Sequence, residues 1–431
     1  MNIHPNGELM NEKYRPQFHF TPARNWMNDP NGLLYYKGKY HLFFQHNPQA
    51  NVWGNMSWGH AVSTDLYSWQ ELPVAINCTP TSGIFSGSAV LDFENTSGFG
   101  TTENPPIVAI YTEHQNDESN QSQCLAFSLD EGLTFTKYEG NPVLDIKLPN
   151  FRDPKVSWID GKWIMTLALP QEFKISFYSS PNLKEWTHLS DFGPAAETGG
   201  VWECPDLIQI GNKWILIVSL NPGGFQIGSG TQYFVGQWNG KEFVADDVQT
   251  RWIDYGRDNY AGVTFSNAPD SRKIFLGWMS NWHYAAKVPT EPWRSAMTIP
   301  RELSLQGNTL IQNPIEKPGG FPELSFTTSN GSVKISESTE LYIEIGVRNQ
   351  QIFIDTSKAW NELEAPTLQE LFVGDREIDI RVILDRGSVE VFADGGAISV
   401  TNLIFPNSSL TTVQPHGQIS SLKITQLKLG K

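Results

Sequence analysis

Three acidic side chains stand at matching points of the sequence and could act together in catalysis. Asp29 lies in the stretch Trp-Met-Asn-Asp-Pro-Asn-Gly, Asp153 in Phe-Arg-Asp-Pro and Glu203 in Trp-Glu-Cys-Pro-Asp. Each precedes an apolar stretch, a short turn rich in Gly, Asp, Asn or Lys, and a second apolar stretch, a pattern typical of a β-hairpin. The sequence therefore predicts one hairpin used three times, each time with a carboxyl group at its entrance.

Carboxyl groups without a cofactor can hydrolyse a glycosidic bond. One ionised carboxylate attacks the anomeric carbon while a second, protonated group donates to the departing oxygen, and a covalent intermediate forms if the two groups lie about 5 Å apart. The acid stays protonated near neutral pH when burial and a neighbouring negative charge raise its pKa. A third acid can hold sugar hydroxyls and stabilise positive charge in the transition state.

Polar and aromatic side chains near these motifs are candidate contacts to a sugar. The candidate hydrogen-bonding groups and apolar walls are Asn28, Gln45, Ser86, Arg152, Trp53, Phe85 and Trp293. Taken singly, each has a structural explanation, because Asn-Asp-Pro-Asn-Gly is a natural turn and an Arg-Asp pair is often only a surface ion pair. Three acids at one repeated position favour a functional explanation.

The hairpin pattern recurs beyond the three acids. Related second strands are predicted at Pro106–Glu113 and Lys273–Ser280, which gives five hairpins at intervals of about fifty to seventy residues. A short motif that starts with Ser predicts a turn between outer strands. It occurs at Ser63–Trp69 and Ser180–Trp186 and, more loosely, at Ser128–Phe135. Short strands with this period favour a five-bladed β-propeller over residues 1–313, with the acids converging at one end of its channel.

A second all-β domain is predicted after the propeller. Pro and Gly cluster in residues 314–322, which indicates a linker. Alternating apolar runs follow and predict an antiparallel β-sandwich over residues 323–431. These runs are Leu341–Val347, Glu377–Leu384, Ser388–Phe392 and Leu422–Leu429. No cluster of acids or histidines occurs in this region of the sequence, so we expect it to support the propeller or to make ancillary sugar contacts.

Composition narrows the function classes. The chain has 431 residues, 39% hydrophobic, and a formal charge of −15, which argues against nucleic acid or an anionic membrane as partner. Three cysteines without metal-type spacing predict neither a disulfide framework nor a zinc site, and no haem or nucleotide motif occurs. Residues 1–16 have no apolar core flanked by basic residues, so no signal peptide is predicted there, and no segment has the apolar length expected of a bilayer span. We therefore expect either a cytoplasmic protein or a secreted one whose signal has been removed.

The motifs resemble those of glycoside hydrolase family 32, the β-fructofuranosidases that include invertases, exo-inulinases and levanases. They follow the family order across the whole predicted propeller. The matching stretches are Trp26–Gly32, Trp53–His60, Phe85–Ala89, Phe151–Pro154, Trp202–Pro205 and Pro292–Met297.

The resemblance implies a propeller followed by a β-sandwich and a retaining mechanism that needs no metal or other cofactor. It makes Asp29 the nucleophile, Glu203 the general acid/base and Asp153, beside Arg152, the stabiliser that binds fructose hydroxyls. Asn28, Gln45, Trp53, Phe85, Ser86, Arg152 and Trp293 match positions around the terminal fructose.

The resemblance also implies a substrate and leaves alternatives. Gly- and aromatic-rich stretches after Asn221 and Asn281 are most similar to exo-inulinases and levanases, so we expect an exo-acting fructanase that also cleaves sucrose. Asp-Asn-Tyr-Ala stands where the family often has Asp-Phe-Tyr-Ala, so we expect a difference on the leaving-group side near Tyr260. A homodimer through the sandwich is possible. A fructosyltransferase with the same covalent intermediate and a non-catalytic fructan-binding protein are the competing functions.

Overall fold

The computed structural model describes residues 12–359 and 364–427. Nearly all regular structure in these residues is β-strand, and the helical part consists of short 3-10 turns. These turns are Pro170–Glu172, Pro269–Ser271, Ala285–Lys287 and Asp394–Gly396. No helix of the described residues is long and apolar enough to cross a membrane.

Five of the sheets form a closed ring, each starting with an inner strand that packs against the inner strands of its two neighbours. The inner strands are Asn25–Tyr36, Ser82–Leu91, Arg152–Ile159, Val201–Ile210 and Tyr260–Thr264. Because the fifth inner strand also contacts the first, the ring is complete. The predicted five-bladed β-propeller is therefore confirmed.

Each blade continues outward as an antiparallel meander. Blade 1 adds Lys39–Asn47, Ser57–Ser63 and Trp69–Ile76. Blade 2 adds Ile107–Gln115, Gln121–Ser128, Thr136–Lys137 and Leu144–Leu148. Blade 3 adds Lys162–Leu169, Lys174–Ser180 and Thr187–Phe192. Blade 4 adds Lys213–Asn221, Gly230–Trp238 and Phe243–Ala245. Blade 5 adds Ile274–Met279, Ala296–Met297, Arg301–Gln306 and Thr309–Pro314.

The repeated motif that begins with Ser is the turn between the third and fourth strands of a blade, as predicted. In blade 1 the carboxylate of Asp65 accepts hydrogen bonds from the backbone N–H groups of Tyr67 and Ser68. In blade 3 the Asn182 side chain accepts the equivalent bonds from Lys184 and Glu185. Asp and Asn both supply an oxygen that closes the turn, which explains why the motif tolerates either residue.

Every inner strand has a β-bulge near its N-terminal end, where two residues oppose one residue of the next strand. The irregularities fall between Met27 and Pro30, Ile84 and Gly87, Arg152 and Lys155, Glu203 and Asp206, and Tyr260 and Val263. A bulge bends the strand and re-aims its side chains. The acids lie at these bulges, inside the strands, whereas the sequence placed them before the strands.

The bulge register shows that the three acids are not equivalent residues of their blades. Asp153 and Cys204 occupy the same register position and share a left-handed backbone, with φ of 67° and 48°. Glu203 stands one residue earlier, and Asp29 is the second residue of its own bulge. The expectation of one repeated position is therefore wrong in register, although each blade brings its acid to the same end of the ring.

The ring is closed by a segment from far along the chain. The short strand Trp293–Arg294 pairs in parallel with the inner strand of blade 1, with Asn25 opposite Trp293. A parallel bridge between Leu34 and Ser266 links the same inner strand to blade 5. Residues near both ends of the propeller sequence therefore hold blade 1 in place.

The last sheet folds into two layers around one apolar core, which confirms the predicted β-sandwich. Its long strand Glu323–Ser336 belongs to both layers, because residues 323–328 pair with one neighbour and residues 331–336 with another. One layer adds Ile378–Asp385, Ser388–Ala393 and Ile398–Leu403. The other adds Tyr342–Arg348, Gln351–Asp355 and Leu368–Phe372, and Thr412–Thr425 pairs along the long strand.

Some expectations about chain boundaries concern residues that are not described. The end of the predicted strand Leu422–Leu429 and the start of the segment 1–16 lie outside the described residues. Between the last blade strand, which ends at Pro314, and the sandwich strand, which begins at Glu323, the chain forms no strand. The boundaries 1–313, 314–322 and 323–431 stay a prediction.

Buried charged groups join the propeller to the sandwich. His19 contacts carboxylates on both sides of its ring, with Nδ1 2.9 Å from Asp385 and Nε2 2.8 Å from Glu390. Arg301 of blade 5 binds the same Glu390 at 2.8 Å and Asp254 at 3.0 Å. Since all these side chains are almost completely buried, the two domains are held by a shared ionic network.

Candidate active site

A cleft of about 440 Å³ opens at the end of the propeller channel where the bulges lie. Nine of the eleven predicted site residues line it. They are Asn28, Asp29, Gln45, Trp53, Phe85, Ser86, Arg152, Asp153 and Glu203. Blades 1 to 4 all contribute, so the ring architecture brings together residues that are far apart in sequence.

Asp29 is held by hydrogen-bond donors on both carboxylate oxygens. Ser86 Oγ donates to Oδ2 at 2.6 Å and Asn28 Nδ2 donates to Oδ1 at 3.0 Å. Trp26 in turn donates its indole N–H to Asn28 Oδ1 at 2.7 Å, which fixes the amide orientation. Burial raises the pKa of Asp29, the two donors oppose this, and the nearby charge of Glu203 raises it further. The geometry presents a rigid, oriented carboxylate.

Glu203 accepts hydrogen bonds from a guanidinium group and from a phenol. Arg152 donates to Glu203 Oε1 from Nε at 3.0 Å, and its Nη2 lies 2.9 Å from the same oxygen. The hydroxyl of Tyr260, from blade 5, donates to Oε2. The Glu203 side chain is still 20% exposed, so it is accessible from the cleft. A carboxyl group in this position can exchange a proton with a bound molecule.

Asp153 lies close to the other two acids and next to the thiol of Cys204. Its Oδ2 accepts the backbone N–H of Cys204 at 3.0 Å, and Cys204 Sγ lies 3.5 Å from that oxygen and 3.5 Å from Asp29 Oδ2. The Asp29 and Asp153 oxygens are therefore within twice that distance of each other. Burial raises the pKa of Asp153 to about 7, Arg152 opposes this, and the charges of Glu203 and Asp29 add to it.

The electrostatics follow from two of the three carboxyl groups sharing one guanidinium. Arg152 lies beside Glu203 and Asp153 and compensates part of their charge. Since the pKa values of Asp29 and Asp153 are both raised, the cleft binds protons near neutral pH more readily than isolated aspartates would.

Aromatic rings form one rim of the cleft. Trp53 is 51% exposed and meets Phe85 edge to face, with ring centroids 6.1 Å apart. Phe85 stacks on His114 at 4.3 Å. A flat, half-exposed indole supported from behind by packed rings can contact the C–H face of a bound molecule.

Two predicted site residues do not line the cleft. Tyr260 is 1% exposed and its hydroxyl donates to Glu203, so it is a buried positioning residue, and its place beside the leaving group stays a prediction. Trp293 is also buried, and its ring packs against the guanidinium of Arg15. Its strand pairs with Asn25 at the edge of blade 1, which explains why its ring does not reach the cleft.

The sequence analysis missed several residues of the cleft. Trp282 lines it and stacks on Trp26 with centroids 5.8 Å apart. Gln121, Asn150 and Asn221 supply polar groups. Asn150 and Asn221 sit at the same end of blades 3 and 4 as the acids, so the repeat could have indicated them. Among the described residues no group of three or more His, Cys, Asp or Glu side chains could hold a metal ion.

Comparison with known proteins decides the family. Residues 19–314 match the glycosyl hydrolases family 32 N-terminal domain, and residues 306–428 match the family 32 C-terminal domain. The chain belongs to glycoside hydrolase family 32. This family 32 protein is 41% identical to a levanase of Bacillus subtilis over 97% of its own length and 70% of the levanase.

Fungal family 32 enzymes are similarly close. The chain is 39% identical to an extracellular exo-inulinase of Aspergillus niger, with 92% of the chain and 90% of that protein covered. The crystal structure of exo-inulinase from Aspergillus awamori superposes with a TM-score of 0.88 at 36% identity, covering 97% of this chain and 99% of that one. The propeller and sandwich of this family 32 chain thus match a solved relative along nearly their whole length.

Proposed function

We propose that this chain is a retaining glycoside hydrolase that releases terminal β-D-fructofuranosyl residues from fructans and from sucrose. The observation that carries the proposal is the meeting of Asp29, Asp153 and Glu203 in one cleft, each from a different blade. Membership of family 32 and the similarity to a levanase and to exo-inulinases support the choice of substrate.

Asp29 is the nucleophile in this mechanism. Its oxygen attacks the anomeric carbon of fructose, and the bond from that carbon to the leaving oxygen breaks. The donors Ser86 and Asn28 keep the carboxylate oriented for attack. A covalent fructosyl ester on Asp29 results.

Glu203 transfers the protons. It gives its proton to the leaving oxygen in the first step and takes a proton from the attacking water in the second, which restores Asp29 and the acid. Arg152 and Tyr260 hold the two oxygens of this carboxyl group, so its position is the same in both steps.

Asp153 binds the sugar instead of reacting with it. It lies close to Asp29, and the Cys204 N–H and Arg152 fix its charge and position. A carboxylate here can accept hydrogen bonds from fructose hydroxyls and stabilise the positive charge that develops on the ring.

The size of the cleft supports attack at a chain end. A cavity of about 440 Å³ is in the range of small-molecule pockets, whereas an enzyme that cleaves inside a chain needs an open groove. Trp53 and Trp282 stand on its rim and can contact the next sugar. We therefore infer exo action.

A time course of products tests the proposal. The protein is incubated separately with sucrose, inulin and levan, and free fructose is measured against shorter oligomers. Fructose from the earliest samples is expected, whereas a ladder of fragments, or kestose-type oligomers with little fructose, would contradict exo-hydrolysis. An inert protein that still binds inulin would point to a binding module.

Single substitutions test the roles of two acids. Asp29→Ala and Glu203→Ala are each expected to lower turnover by orders of magnitude while the unfolding curve changes little. Added azide is expected to partly restore turnover of an activated fructoside by Glu203→Ala, since the activated group departs without a proton donor and azide then displaces Asp29 from the anomeric carbon without a general base. Near-normal turnover in either variant would refute its assignment.

The remaining partner predictions rest on charge and on the sandwich. The formal charge of −15 favours an uncharged sugar over nucleic acid or an anionic membrane. A homodimer through the sandwich stays a prediction, and sedimentation of the purified protein at several concentrations would decide it.

A further inference from the structure

A second cavity, of about 410 Å³, lies at the opposite end of the propeller channel. It is lined by the far ends of the inner strands of blades 2 to 5, for example Leu91, Trp158, Gln209 and Thr264. Trp158 is five residues beyond Asp153 on one inner strand, a separation of about 16 Å along an extended chain. The far cavity is therefore distinct from the catalytic cleft.

A buried polar cross-link forms the floor of the far cavity. Lys155 from blade 3 donates to the backbone carbonyl of Thr264 in blade 5, and its Nζ lies 3.6 Å from Asp206 Oδ2 in blade 4. Asp206 Oδ2 also accepts the N–H of Thr264 at 2.7 Å, while Asp206 Oδ1 is buried without a hydrogen-bond partner in the described part of the chain. This cross-link joins blades 3, 4 and 5, and its members Lys155 and Thr264 line the cavity.

The walls of the far cavity carry aromatic rings that nothing covers in the described chain. Trp158 is 41% exposed and Phe93 57% exposed, although both line a concave site. Trp158 is supported edge to face by Trp163, with centroids 4.8 Å apart. Exposed rings beside polar groups in a concavity are typical of a ligand site, because leaving such apolar surface in water has a free-energy cost.

The chemistry of the lining favours an uncharged, hydroxyl-rich ligand. Lys155 is paired with Asp206, and the carboxylate of Asp92 accepts the backbone N–H groups of Thr96 and Ser97. Glu94 and Lys273 also line the cavity and carry opposite charges, so the lining offers no excess of one sign to attract an ion. The neutral side chains Ser157, Gln209 and Asn267 also line the cavity. Hydroxyl and amide groups beside flat rings match a sugar, which has hydroxyls on its edge and C–H groups on its faces.

We propose that the far cavity is a non-catalytic carbohydrate site that binds a fructan chain. The identity of the sugar rests on the proposed function, while the site itself rests on the lining residues. The same few sugars of a fructan chain cannot occupy both sites at once, because the two sites lie at opposite ends of the propeller channel. The site instead anchors the protein to a polymer or particle and raises the local concentration of chain ends. Sucrose cleavage does not depend on it.

Affinity electrophoresis in gels that contain inulin or levan tests this site. The parent is Asp29→Ala, which keeps the polymer intact, and Trp158→Ala and Phe93→Ala are added to it singly. Phe372→Ala is the matched control, because it removes a ring that is 75% exposed on the edge of the sandwich. Each cavity variant is expected to bind the polymer about tenfold more weakly, whereas the control migrates like the parent.

The same single substitutions in the active protein separate anchoring from chemistry. For Trp158→Ala and Phe93→Ala we expect unchanged kcat/KM on sucrose and slower fructose release from insoluble inulin. Unretarded migration of the parent, or unchanged binding in both cavity variants, would overturn the proposal. Equal losses on sucrose and polymer would overturn it too. If the wild type releases fructose and the two cavity substitutions change neither binding nor release, the proposed function stands and only the far-cavity proposal fails. A wild type that does not cleave sucrose would refute the proposed function separately.

Discussion

Stability should depend on pH through one buried imidazole, His19, between the propeller and the sandwich. Burial alone would lower the pKa of His19, but the hydrogen bonds and charges of Asp385 and Glu390 overcome this and raise it to about 9, from an ordinary value of 6.5. His19 is therefore protonated in the folded protein at neutral pH. Its contribution to folding is fully present below pH 6.5 and is lost as the pH rises through about 9.

The shift sets the size of the effect. A difference of one pKa unit corresponds to about 1.4 kcal/mol, so the protonated form of His19 contributes about 3 kcal/mol to the free energy of unfolding at low pH. His19→Gln keeps a hydrogen-bonding side chain but cannot carry the charge. The loss in free energy of unfolding should be about 3 kcal/mol larger near pH 6 than near pH 10, because the stabilisation that depends on the His19 charge is absent from the wild type at high pH.

Urea unfolding at several pH values between 6 and 10 measures this difference. His46→Gln is the matched control, because burial lowers the pKa of His46, the opposite direction to the shift of His19. The control should therefore lose a constant amount of stability. A loss for His19→Gln that does not change between pH 6 and pH 10 would show that His19 is not charged in the network.

Three further outcomes follow from the contacts. Ser86→Ala removes a donor that opposes the raised pKa of Asp29, so the acidic side of the pH profile of kcat/KM on sucrose should shift to higher pH. An unshifted profile would contradict the assignment of Asp29 as an ionised nucleophile. Trp282→Ala should raise KM for sucrose several-fold, whereas Trp293→Phe should lower the melting temperature and leave KM unchanged. The reverse result would favour Trp293 as the tryptophan that contacts the sugar. Iodoacetamide should modify only half-buried Cys78 in the native protein and all three cysteines after denaturation, as mass spectrometry of the peptides would show.

The fold and the catalytic acids could be predicted because their signals are local and repeated. Alternating apolar residues and short turns mark each hairpin, and a five-fold repeat leaves few architectures that bury all the strands. The convergence of Asp29, Asp153 and Glu203 then follows from the ring. None of this requires knowledge of a long-range contact.

Register and side-chain direction could not be predicted in this way. A β-bulge displaces a residue without an obvious change of composition, so the sequence did not show that Asp153 is equivalent to Cys204 and that Glu203 precedes that position. The same limit applies to the aromatic wall. Whether Trp282 or Trp293 faces the cleft depends on the parallel pairing of Trp293 with blade 1, a contact between distant residues.

The most direct test of the mechanism is to find the covalent intermediate. Glu203→Ala is mixed rapidly with an activated fructoside, quenched with acid, digested and examined by mass spectrometry. The departing group then needs no acid, while hydrolysis of the ester is slow without the base, so a fructosyl adduct should accumulate on the peptide that contains Asp29. An adduct on another residue, or substrate turnover with inversion at the anomeric carbon, would contradict the assignment of Asp29 as nucleophile.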